Sequence, residues 1–234
     1  MPNAVITGAT QGIGRAIAEK LLQEGFSVAT CARTQADLEL IQKEWQEKYP
    51  AAQIITLVAD LGNKDEVIAF ATDVKKQFSE IDLLVNNAGT FYPGALADEP
   101  DGHLETLMSV NLYSAYHLTR QLLPVMKARE AGHIFNMCSV ASLRAYPNGG
   151  SYSISKYALM GFSENLREEL KAHGIKVTAI CPGATYSRSW QSSGLPADRF
   201  MKLEDIANML WGAYSLSAGA DVETIVMRPI LGDI

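Results

Sequence analysis

The sequence of 234 residues predicts one α/β domain, a doubly wound sheet of seven parallel strands with helices on both faces. Short apolar runs alternate with longer amphipathic runs along the chain, as in repeated strand–helix–strand units. Several short runs are rich in Val and Ile without polar alternation, which is typical of strands covered on both faces. No linker, low-complexity segment or internal repeat divides residues 1–234, so a single domain is the simplest interpretation.

Strands and helices are predicted in strict alternation. The predicted strands are Ala4–Thr7, Ser27–Ala32, Gln53–Ala59, Leu83–Asn86, His133–Cys138, Lys176–Cys181 and Glu223–Met227. The predicted helices are Gly12–Glu24, Gln35–Lys48, Lys64–Ser79, Leu104–Arg129, Tyr152–Lys171 and Leu203–Ser217. Residues 186–201, ahead of the last helix, are polar and contain Gly and Pro. We therefore expect a lid over the functional site there, with a plain surface loop as the alternative.

Composition and charge argue against several classes of protein. Apolar residues make up 47% of the chain, enough for a well-filled core, and the net charge of −6 with scattered basic residues gives no sign of nucleic-acid binding. No apolar run reaches the ~18 residues of a membrane span. The first predicted strand begins almost at once, so we expect no signal peptide and a cytoplasmic, soluble protein. Cys31, Cys138 and Cys181 lie in apolar runs and are predicted to be buried free thiols.

A glycine-rich loop, with Gly8, Gly12 and Gly14, follows the first predicted strand and leads into a helix. The spacing Gly-x-x-x-Gly-x-Gly departs from the common Gly-x-Gly-x-x-Gly pattern but stands at the same place. Glycines permit a tight turn and let backbone amides approach a pyrophosphate, which the helix N-terminus attracts. The loop therefore favours dinucleotide binding over a bare turn, and it predicts a Rossmann fold.

The end of the second predicted strand indicates which dinucleotide is bound. NAD-binding proteins usually place an acidic residue there, whereas this chain has Ala32 followed by Arg33. A guanidinium pairs well with a 2′-phosphate, and no carboxylate is present to repel it. We therefore predict NADP(H), with Arg15 as a second phosphate partner. The alternative is that Arg33 is simply an exposed arginine.

Tyr152 and Lys156 are four residues apart and share a face of a predicted helix. A nearby ammonium lowers the pKa of a tyrosine, which makes it a better proton donor to a carbonyl and, in reverse, a base towards an alcohol. Of nine tyrosines, only Tyr152 has Lys at the fourth following position. Ser139 closes the fifth predicted strand, at the sheet edge where ligands bind. Alone, Ser139 would be interpreted as the cap of the next turn.

These motifs stand in the order found in short-chain dehydrogenases/reductases, and the sequence resembles that family over essentially its whole length. The matching motifs are TGATQGIG (7–14), AD (59–60), NNAG (86–89), VN (110–111), Ser139, YSISK (152–156) and PG (182–183). PGATYSRSW (182–190), LEDIANML (203–210) and RPILGDI (228–234) are similar to the bacterial sepiapterin-reductase-like branch, whose members reduce pterin side-chain carbonyls.

The resemblance implies a role for each catalytic candidate. Tyr152 would be the acid/base, Lys156 would lower its pKa and hold the nicotinamide ribose, and Ser139 would orient the substrate carbonyl. Asn111 would maintain a water-linked proton path to Lys156. The implied cofactor-binding residues are Gly8, Thr10, Gln11, Gly12, Ile13, Gly14, Arg33, Asp60, Leu61, Asn87, Ala88, Gly89, Tyr152, Lys156, Pro182, Gly183, Thr185 and Ser187.

Two positions depart from the family pattern. Many NADP-preferring relatives carry a basic residue before the second glycine, where this chain has Gln11, so the cofactor prediction depends on Arg33. Ser187 stands where the family often has Thr, and its hydroxyl is expected to serve the cofactor's carboxamide equally well.

The predicted function is an NADPH-dependent carbonyl reductase acting on a small or mid-sized carbonyl, such as a pterin side-chain carbonyl. The predicted substrate-binding residues are Phe91, Tyr92, Leu143, Tyr146, Tyr186 and Trp190, although some of these aromatic residues are alternatives for the core. Asp233 is a further candidate for contact with a pterin. A 3-oxoacyl thioester reductase and a non-catalytic NADP(H)-binding sensor remain alternatives.

Other partners are expected from the sequence and the resemblance. The four histidines have no metal-ligand spacing with another His or Cys, so we expect no metal. The resemblance implies a homodimer or homotetramer assembled through the predicted helices Leu104–Arg129 and Tyr152–Lys171. A small-molecule carbonyl or alcohol is the expected substrate, and neither nucleic acid nor membrane is an expected partner.

Overall fold

The computed structural model describes residues 1–186 and 194–233, and within them seven parallel strands form one sheet in the order β3-β2-β1-β4-β5-β6-β7. The strands are β1 (Asn3–Thr7), β2 (Ser27–Ala32), β3 (Ile54–Val58), β4 (Leu83–Asn86), β5 (Gly132–Met137), β6 (Ile175–Pro182) and β7 (Thr224–Met227). The strand order reverses direction between β1 and β4, so the predicted doubly wound sheet is confirmed.

Helices cover both faces of the sheet. They are α1 (Gly12–Gln23), α2 (Gln35–Lys48), α3 (Lys64–Gln77), α4 (His103–Met108), α5 (Ser114–Arg129), α6 (Gly150–Leu170) and α7 (Leu203–Tyr214). The apolar sides of α1, α2 and α7 form one core with the sheet, and those of α3, α5 and α6 form the other. The three cysteines are free and buried, as predicted.

The predicted helix Leu104–Arg129 is interrupted, which corrects the sequence-based expectation. A π-helical turn, Ser109–Tyr113, separates α4 from α5. Asn111 lies in this turn, fully buried, and its side chain bonds to the backbone of Thr90 and to the hydroxyl of Ser155. The turn therefore depends on contacts far away in sequence, and π-turns of this kind often mark functional sites.

The loops after β1 and β4 are fixed to each other at the point where the strand order reverses. The hydroxyl of Thr7 accepts hydrogen bonds from the backbone amides of Asn87 (3.0 Å) and Ala88 (2.9 Å). The side-chain amide of Asn87 donates in return to the carbonyls of Thr7 (2.8 Å) and Gly8 (3.2 Å). These bonds hold the two loops that border the crevice at the carboxyl ends of the strands.

The N-terminus of α6 is capped by a residue from a distant loop. No side chain of its own first turn or N-cap position caps this helix. Instead the carboxylate of Glu99 accepts hydrogen bonds from the backbone amide of Ser151 (2.9 Å) and from its hydroxyl. The amide of Gly94 donates to the carbonyl of Asn148 (3.0 Å), so the same loop is attached just ahead of α6 as well.

The two ends of the predicted lid, residues 186–201, are joined beside β6. The amide of Tyr186 donates to the carbonyl of Met201 (2.9 Å), and the amide of Met201 donates to that of Ala184 (3.1 Å). Arg199 bonds to backbone carbonyls of the C-terminal segment. Ser187 and Trp190 lie outside the described residues, and the lid itself stays a prediction. No helix in the described part of the chain has the length and apolar character needed to span a membrane.

Candidate active site

A cavity of about 800 Å³ opens at the carboxyl ends of β4, β5 and β6. The predicted site residues that border it are Ile13, Asn87, Gly89, Phe91, Ser139, Tyr146, Tyr152, Lys156, Pro182, Gly183 and Thr185. It is also lined by Thr90, Met137, Cys138, Val140, Arg144, Ala145, Pro147, Ala184, Arg228 and Asp233. The structure therefore brings the tyrosine, the lysine and the serine of the sequence motifs to one concave site.

Tyr152 presents its hydroxyl to Ser139 and packs its ring edge-on against Phe91, with ring centroids 4.8 Å apart. Removal from water raises the pKa of Tyr152 above its ordinary value, and the hydrogen bond with Ser139 opposes that rise only partly. The sequence-based expectation of a lowered pKa is therefore wrong for this state of the protein. Its physical reason is that desolvation outweighs the neighbouring groups that favour the phenolate.

Lys156 lies one helical turn beyond Tyr152 and is buried. Its ammonium donates a hydrogen bond to the carbonyl of Met137 (2.8 Å) and lies 5.9 Å from the centroid of the Tyr152 ring. Burial lowers the pKa of Lys156. The loop after β4 passes close by, since a Cβ added to Gly89 would lie 3.5 Å from this ammonium. Glycine at this position thus allows the backbone to approach the lysine.

Asn111 connects the loop after β4 to helix α6. Its side-chain oxygen accepts from the amide of Thr90 (2.7 Å), and its side-chain amide donates to the carbonyl of Thr90 (3.0 Å) and to the hydroxyl of Ser155 (2.9 Å). Ser155 in turn donates to the carbonyl of Tyr152 (2.8 Å). Asn111 therefore positions the turn that carries Tyr152, and the water-linked path to Lys156 stays a prediction.

Ser139 combines the two roles that the sequence left open. Its hydroxyl accepts from the amide of Ala141 (3.1 Å), while its own amide donates to the hydroxyl of Ser142 (3.1 Å), so it caps the short turn Val140–Ser142. The same hydroxyl bonds to Tyr152. Ser142 was not predicted as a site residue, although the S-x-x-S spacing resembles a reciprocal cap.

The glycine loop after β1 leaves its backbone uncovered where a phosphate would bind. Gly8 and Gly12 have φ angles of +68° and +59°, which residues other than glycine rarely adopt. A Cβ on Gly14 would overlap the side-chain amide of Asn87 and the carbonyl of Gly8, whereas a Cβ on Gly12 would meet nothing within 4 Å. Gln11 at the N-cap of α1 is exposed and makes no side-chain cap bond. The open backbone ahead of α1 fits a pyrophosphate.

The predicted phosphate-binding arginines differ in their surroundings. Arg33 follows β2, is exposed, and forms no ion pair or hydrogen bond within residues 1–186 and 194–233. Arg15 instead pairs with Glu19 (2.8 Å) and Glu44 (2.6 Å), which also raises its pKa. The expectation that Arg15 serves as a second phosphate partner is therefore not supported, because two carboxylates already satisfy its charge.

The remaining predicted cofactor residues lie near these loops. Asp60 follows β3, and its carboxylate accepts from the amide of Gly62 (2.9 Å) while its own amide donates to Glu66 (2.7 Å). Leu61 is buried beside it, and Thr10 stands within the glycine loop. Asp60 is exposed, so its carboxylate shapes its own turn and still faces solvent.

The comparisons with known proteins identify the family. The sequence model of the short chain dehydrogenase family matches residues 2–196. The chain belongs to the short-chain dehydrogenase/reductase family. It is 33% identical to the sepiapterin reductase of Chlorobaculum tepidum over 238 residues, which cover 98% of this chain and 97% of that protein. It is 32% identical to the 3-oxoacyl-acyl-carrier-protein reductase of Haemophilus influenzae, with coverage of 92% and 91%.

Solved structures of a dehydrogenase and a reductase share the fold. An alcohol dehydrogenase from the archaeon Thermococcus sibiricus, complexed with 5-hydroxy-NADP, superposes with a TM-score of 0.90 at 26% identity and covers 98% of this chain and 97% of its own. An L-sorbose reductase from Gluconobacter frateurii, complexed with NADPH and L-sorbose, superposes with a TM-score of 0.90 at 27% identity, with coverage of 97% and 95%.

In this short-chain dehydrogenase/reductase, the predicted substrate-binding residues are only partly brought together. Phe91 and Tyr146 border the cavity. Tyr92 does not, because successive loop residues point in different directions, and its ring stacks on His103 with centroids 4.9 Å apart. Tyr186 packs on Phe200, and Leu143 is exposed outside the cavity lining. Tyr92, Leu143 and Tyr186 do not line this cavity, and their role in substrate binding stays a prediction. Trp190 lies outside the described residues.

Two arginines of the cavity, Arg144 and Arg228, escaped the sequence-based prediction. Arg228 forms an ion pair with Asp233, and Arg144 borders the same cavity five residues after Ser139. Their charges were visible in the sequence, but nothing in the pattern showed that these loops turn towards the site. Within the described ranges, no group of three metal-ligating side chains comes together.

Proposed function

We propose that this short-chain dehydrogenase/reductase is an NADPH-dependent carbonyl reductase. The observation that carries the proposal is the grouping of Ser139, Tyr152 and the buried Lys156 at one cavity. A protein that only bound a dinucleotide would have no need for a proton donor held in this way. The grouping therefore favours catalysis over a sensor role.

The chain offers suitable groups for the cofactor. The glycine loop and the N-terminus of α1 would hold the pyrophosphate, and the exposed guanidinium of Arg33 would hold the 2′-phosphate. Both structural relatives named above are bound to NADP or NADPH, which supports the same choice here. Asp60, Asn87 and Lys156 would contact the adenosine and nicotinamide parts. The bound nicotinamide would supply the hydride.

The proton is the contribution of the chain itself. Because its pKa is raised, Tyr152 is protonated at neutral pH and ready to donate its hydroxyl proton to a carbonyl oxygen. The hydroxyl of Ser139 would hold the same oxygen, and its bond to Tyr152 would stabilise the phenolate left after transfer. Lys156, held by the carbonyl of Met137, would add positive charge near that phenolate.

The substrate is proposed at the level of a small or mid-sized ketone. The similarity to a sepiapterin reductase supports a pterin side-chain carbonyl, and the similarity to a 3-oxoacyl-acyl-carrier-protein reductase supports a 3-oxoacyl thioester. The rings of Phe91 and Tyr146 in the cavity lining suit a flat substrate. Because Asp233 is paired with Arg228, it is less available to a pterin than the sequence suggested.

The deciding experiment replaces the proton donor. Tyr152→Phe keeps the ring and its contact with Phe91, so NADPH binding should stay near normal while turnover falls by about 10²–10⁴-fold. Tyr157→Phe, on the exposed side of the same helix, is the matched control and should leave turnover unchanged. Full activity of Tyr152→Phe would remove Tyr152 from the mechanism.

A substrate panel separates the candidate functions. Sepiapterin, diketones and 3-oxoacyl thioesters would be offered with NADPH and NADH side by side, and cofactor consumption would be followed by absorbance. We expect turnover of at least one ketone class, with NADPH preferred. Clear NADPH binding without turnover of any carbonyl would instead favour the sensor.

A family-like assembly is proposed with the function. Helices α5 and α6 would pair with those of a second copy in a homodimer or homotetramer. Exposed tyrosines on these helices, Tyr116 and Tyr157, offer apolar area for such a contact.

A further inference from the structure

The lining of the cavity carries an excess of positive charge, although the chain as a whole is acidic. Within the described residues, the charged side chains that border it are three cations, Lys156, Arg144 and Arg228, and one carboxylate, Asp233. The full chain has 26 acidic and 20 basic side chains. A concave site with one sign of charge attracts ligands of the other sign.

Two of the three cations already have a partner among the described residues. Lys156 is buried and bonded to the carbonyl of Met137, and Arg228 is paired with Asp233. Arg144 forms no ion pair or hydrogen bond through its side chain with any residue in 1–186 or 194–233. Arg144 is exposed and borders the cavity, so the donors of its guanidinium are open to water or to a molecule bound there.

The backbone of Arg144 is fixed relative to the reacting groups. Ser139 caps the turn Val140–Ser142, and the amide of Arg144 donates to the carbonyl of Val140 (3.2 Å). The arginine thus stands on the same short turn that positions the serine hydroxyl bonded to Tyr152. An anion held there would have a defined separation from the carbonyl at Ser139.

We propose that Arg144 selects ketones that carry an anionic group, a carboxylate or a phosphate, a few atoms from the carbonyl. The proposal rests on the proposed carbonyl reduction and adds to it the class of substrate. A guanidinium binds either anion through two parallel hydrogen bonds, which fixes the orientation of the ketone as well as adding affinity. The positively charged lining would also concentrate such substrates at the cavity mouth.

The position of Arg144 favours the substrate over the cofactor. It borders the cavity with Val140, Ala145, Tyr146 and Pro147, on the segment that joins Ser139 to helix α6. The glycine loop and Arg33 follow β1 and β2, on the other side of β4 in the sheet. The cofactor's own phosphates are therefore served by other residues.

The test compares charged and neutral forms of the same ketones. Acetoacetate and levulinate would be paired with their methyl esters, and dihydroxyacetone phosphate with dihydroxyacetone, with NADPH held at saturation. For the anionic member of a pair that is turned over, Arg144→Gln should lower kcat/KM about 5- to 10-fold, mainly through KM. The neutral member should change less than about twofold, and Arg144→Lys should restore part of the loss.

Controls separate this proposal from the proposed function. Arg120→Gln removes an exposed arginine of α5, bonded to Tyr116 and outside the cavity lining, and should leave every value unchanged. Equal losses for acids and esters would overturn the proposal, and so would a raised KM for NADPH, which would assign Arg144 to the cofactor. Wild-type preference for the neutral members would overturn it too. If no ketone of any kind were reduced, the proposed function itself would fail.

Discussion

At the scale of single residues, Tyr152 shows how environment changes the meaning of a motif. The spacing of Tyr152 and Lys156 correctly predicted that the two residues share a helix face and a site, but not the direction of the pKa shift. Spacing says which groups are neighbours, whereas desolvation depends on everything that covers them. Spacing also does not tell which of Phe91 and Tyr92 lines the cavity, because that depends on the course of the loop that carries them.

The raised pKa of Tyr152 predicts that its phenolate forms only at a higher pH than that of an ordinary tyrosine. In the protein without added cofactor, ultraviolet difference titration of wild type against Tyr152→Phe should show this tyrosine ionising only above pH 10, because burial disfavours its charged form. The exposed Tyr157, removed in a second variant, provides the comparison. Ionisation of Tyr152 near neutral pH would show that Lys156 and Ser139 outweigh burial.

The proposed preference for NADPH predicts that a substitution of Arg33 weakens NADPH binding selectively. Arg33→Gln should raise the KM for NADPH about 10- to 100-fold and leave that for NADH nearly unchanged, because a charge-assisted pair with the 2′-phosphate is lost. Arg15→Gln is the matched control, since its guanidinium already pairs with Glu19 and Glu44. Initial rates at varied cofactor concentration measure both. An equal effect on NADPH and NADH would contradict the assignment.

At the scale of elements, the strands were predicted well and the helix around Asn111 was not. The strands are marked by short apolar runs, and the observed bounds differ from the predicted ones by at most one residue at either end. The π-helical turn Ser109–Tyr113 has no such mark, because its cause is a set of bonds from Asn111 to Thr90 and Ser155. Local pattern does not reveal a helix defect that distant partners stabilise.

Two helical glycines with different surroundings give a prediction about packing. Gly14→Ala should destabilise the protein by about 1–3 kcal/mol and weaken NADPH binding, because the new methyl overlaps Asn87 and the carbonyl of Gly8. Gly161→Ala, in α6 with nothing within 4 Å, should stabilise by about 0.4–1 kcal/mol. Urea unfolding and NADPH titration measure both effects. Equal stabilities would show that the β1 loop can move away from Asn87.

At the scale of the whole molecule, the doubly wound parallel sheet could be predicted because strands and helices alternate along the chain, whereas the order of its strands was not predicted. The composition of the cavity could not, since it is assembled from loops far apart in sequence. Arg144, Arg228 and Asp233 meet there only because β5 and β6 are neighbours in the sheet and β7 brings the C-terminal segment alongside.

One buried histidine predicts how the whole fold responds to acid. His133 lies in β5, bonds to the hydroxyl of Thr178 (2.7 Å) and stacks on Phe135, and burial lowers its pKa to about 3. Between pH 6.5 and 3 the unfolded chain binds a proton at this residue that the folded chain does not. Its contribution therefore makes stability fall with decreasing pH by about 1.4 kcal/mol per unit across that window.

The measurement compares how steeply the free energy of unfolding changes with pH in the two proteins, rather than its absolute value. The free energy of unfolding, from urea titrations between pH 7 and 4, should fall less steeply for His133→Gln than for wild type. The variant is expected to be less stable overall, which does not affect the slope. Identical slopes for His133→Gln and wild type would refute the assignment.

The cap that Glu99 places on α6 couples two parts of the molecule mechanically. The loop that carries Phe91, whose ring packs against Tyr152, also carries Glu99. Glu99 caps the first turn of α6 through Ser151, 52 positions further along the chain. We expect that a bulky substrate that displaces this loop also displaces the start of α6, because the hydrogen bond from Ser151 to Glu99 joins the two. We therefore expect the width of a ketone to affect its turnover as well as its binding, since Tyr152 stands on the displaced turn.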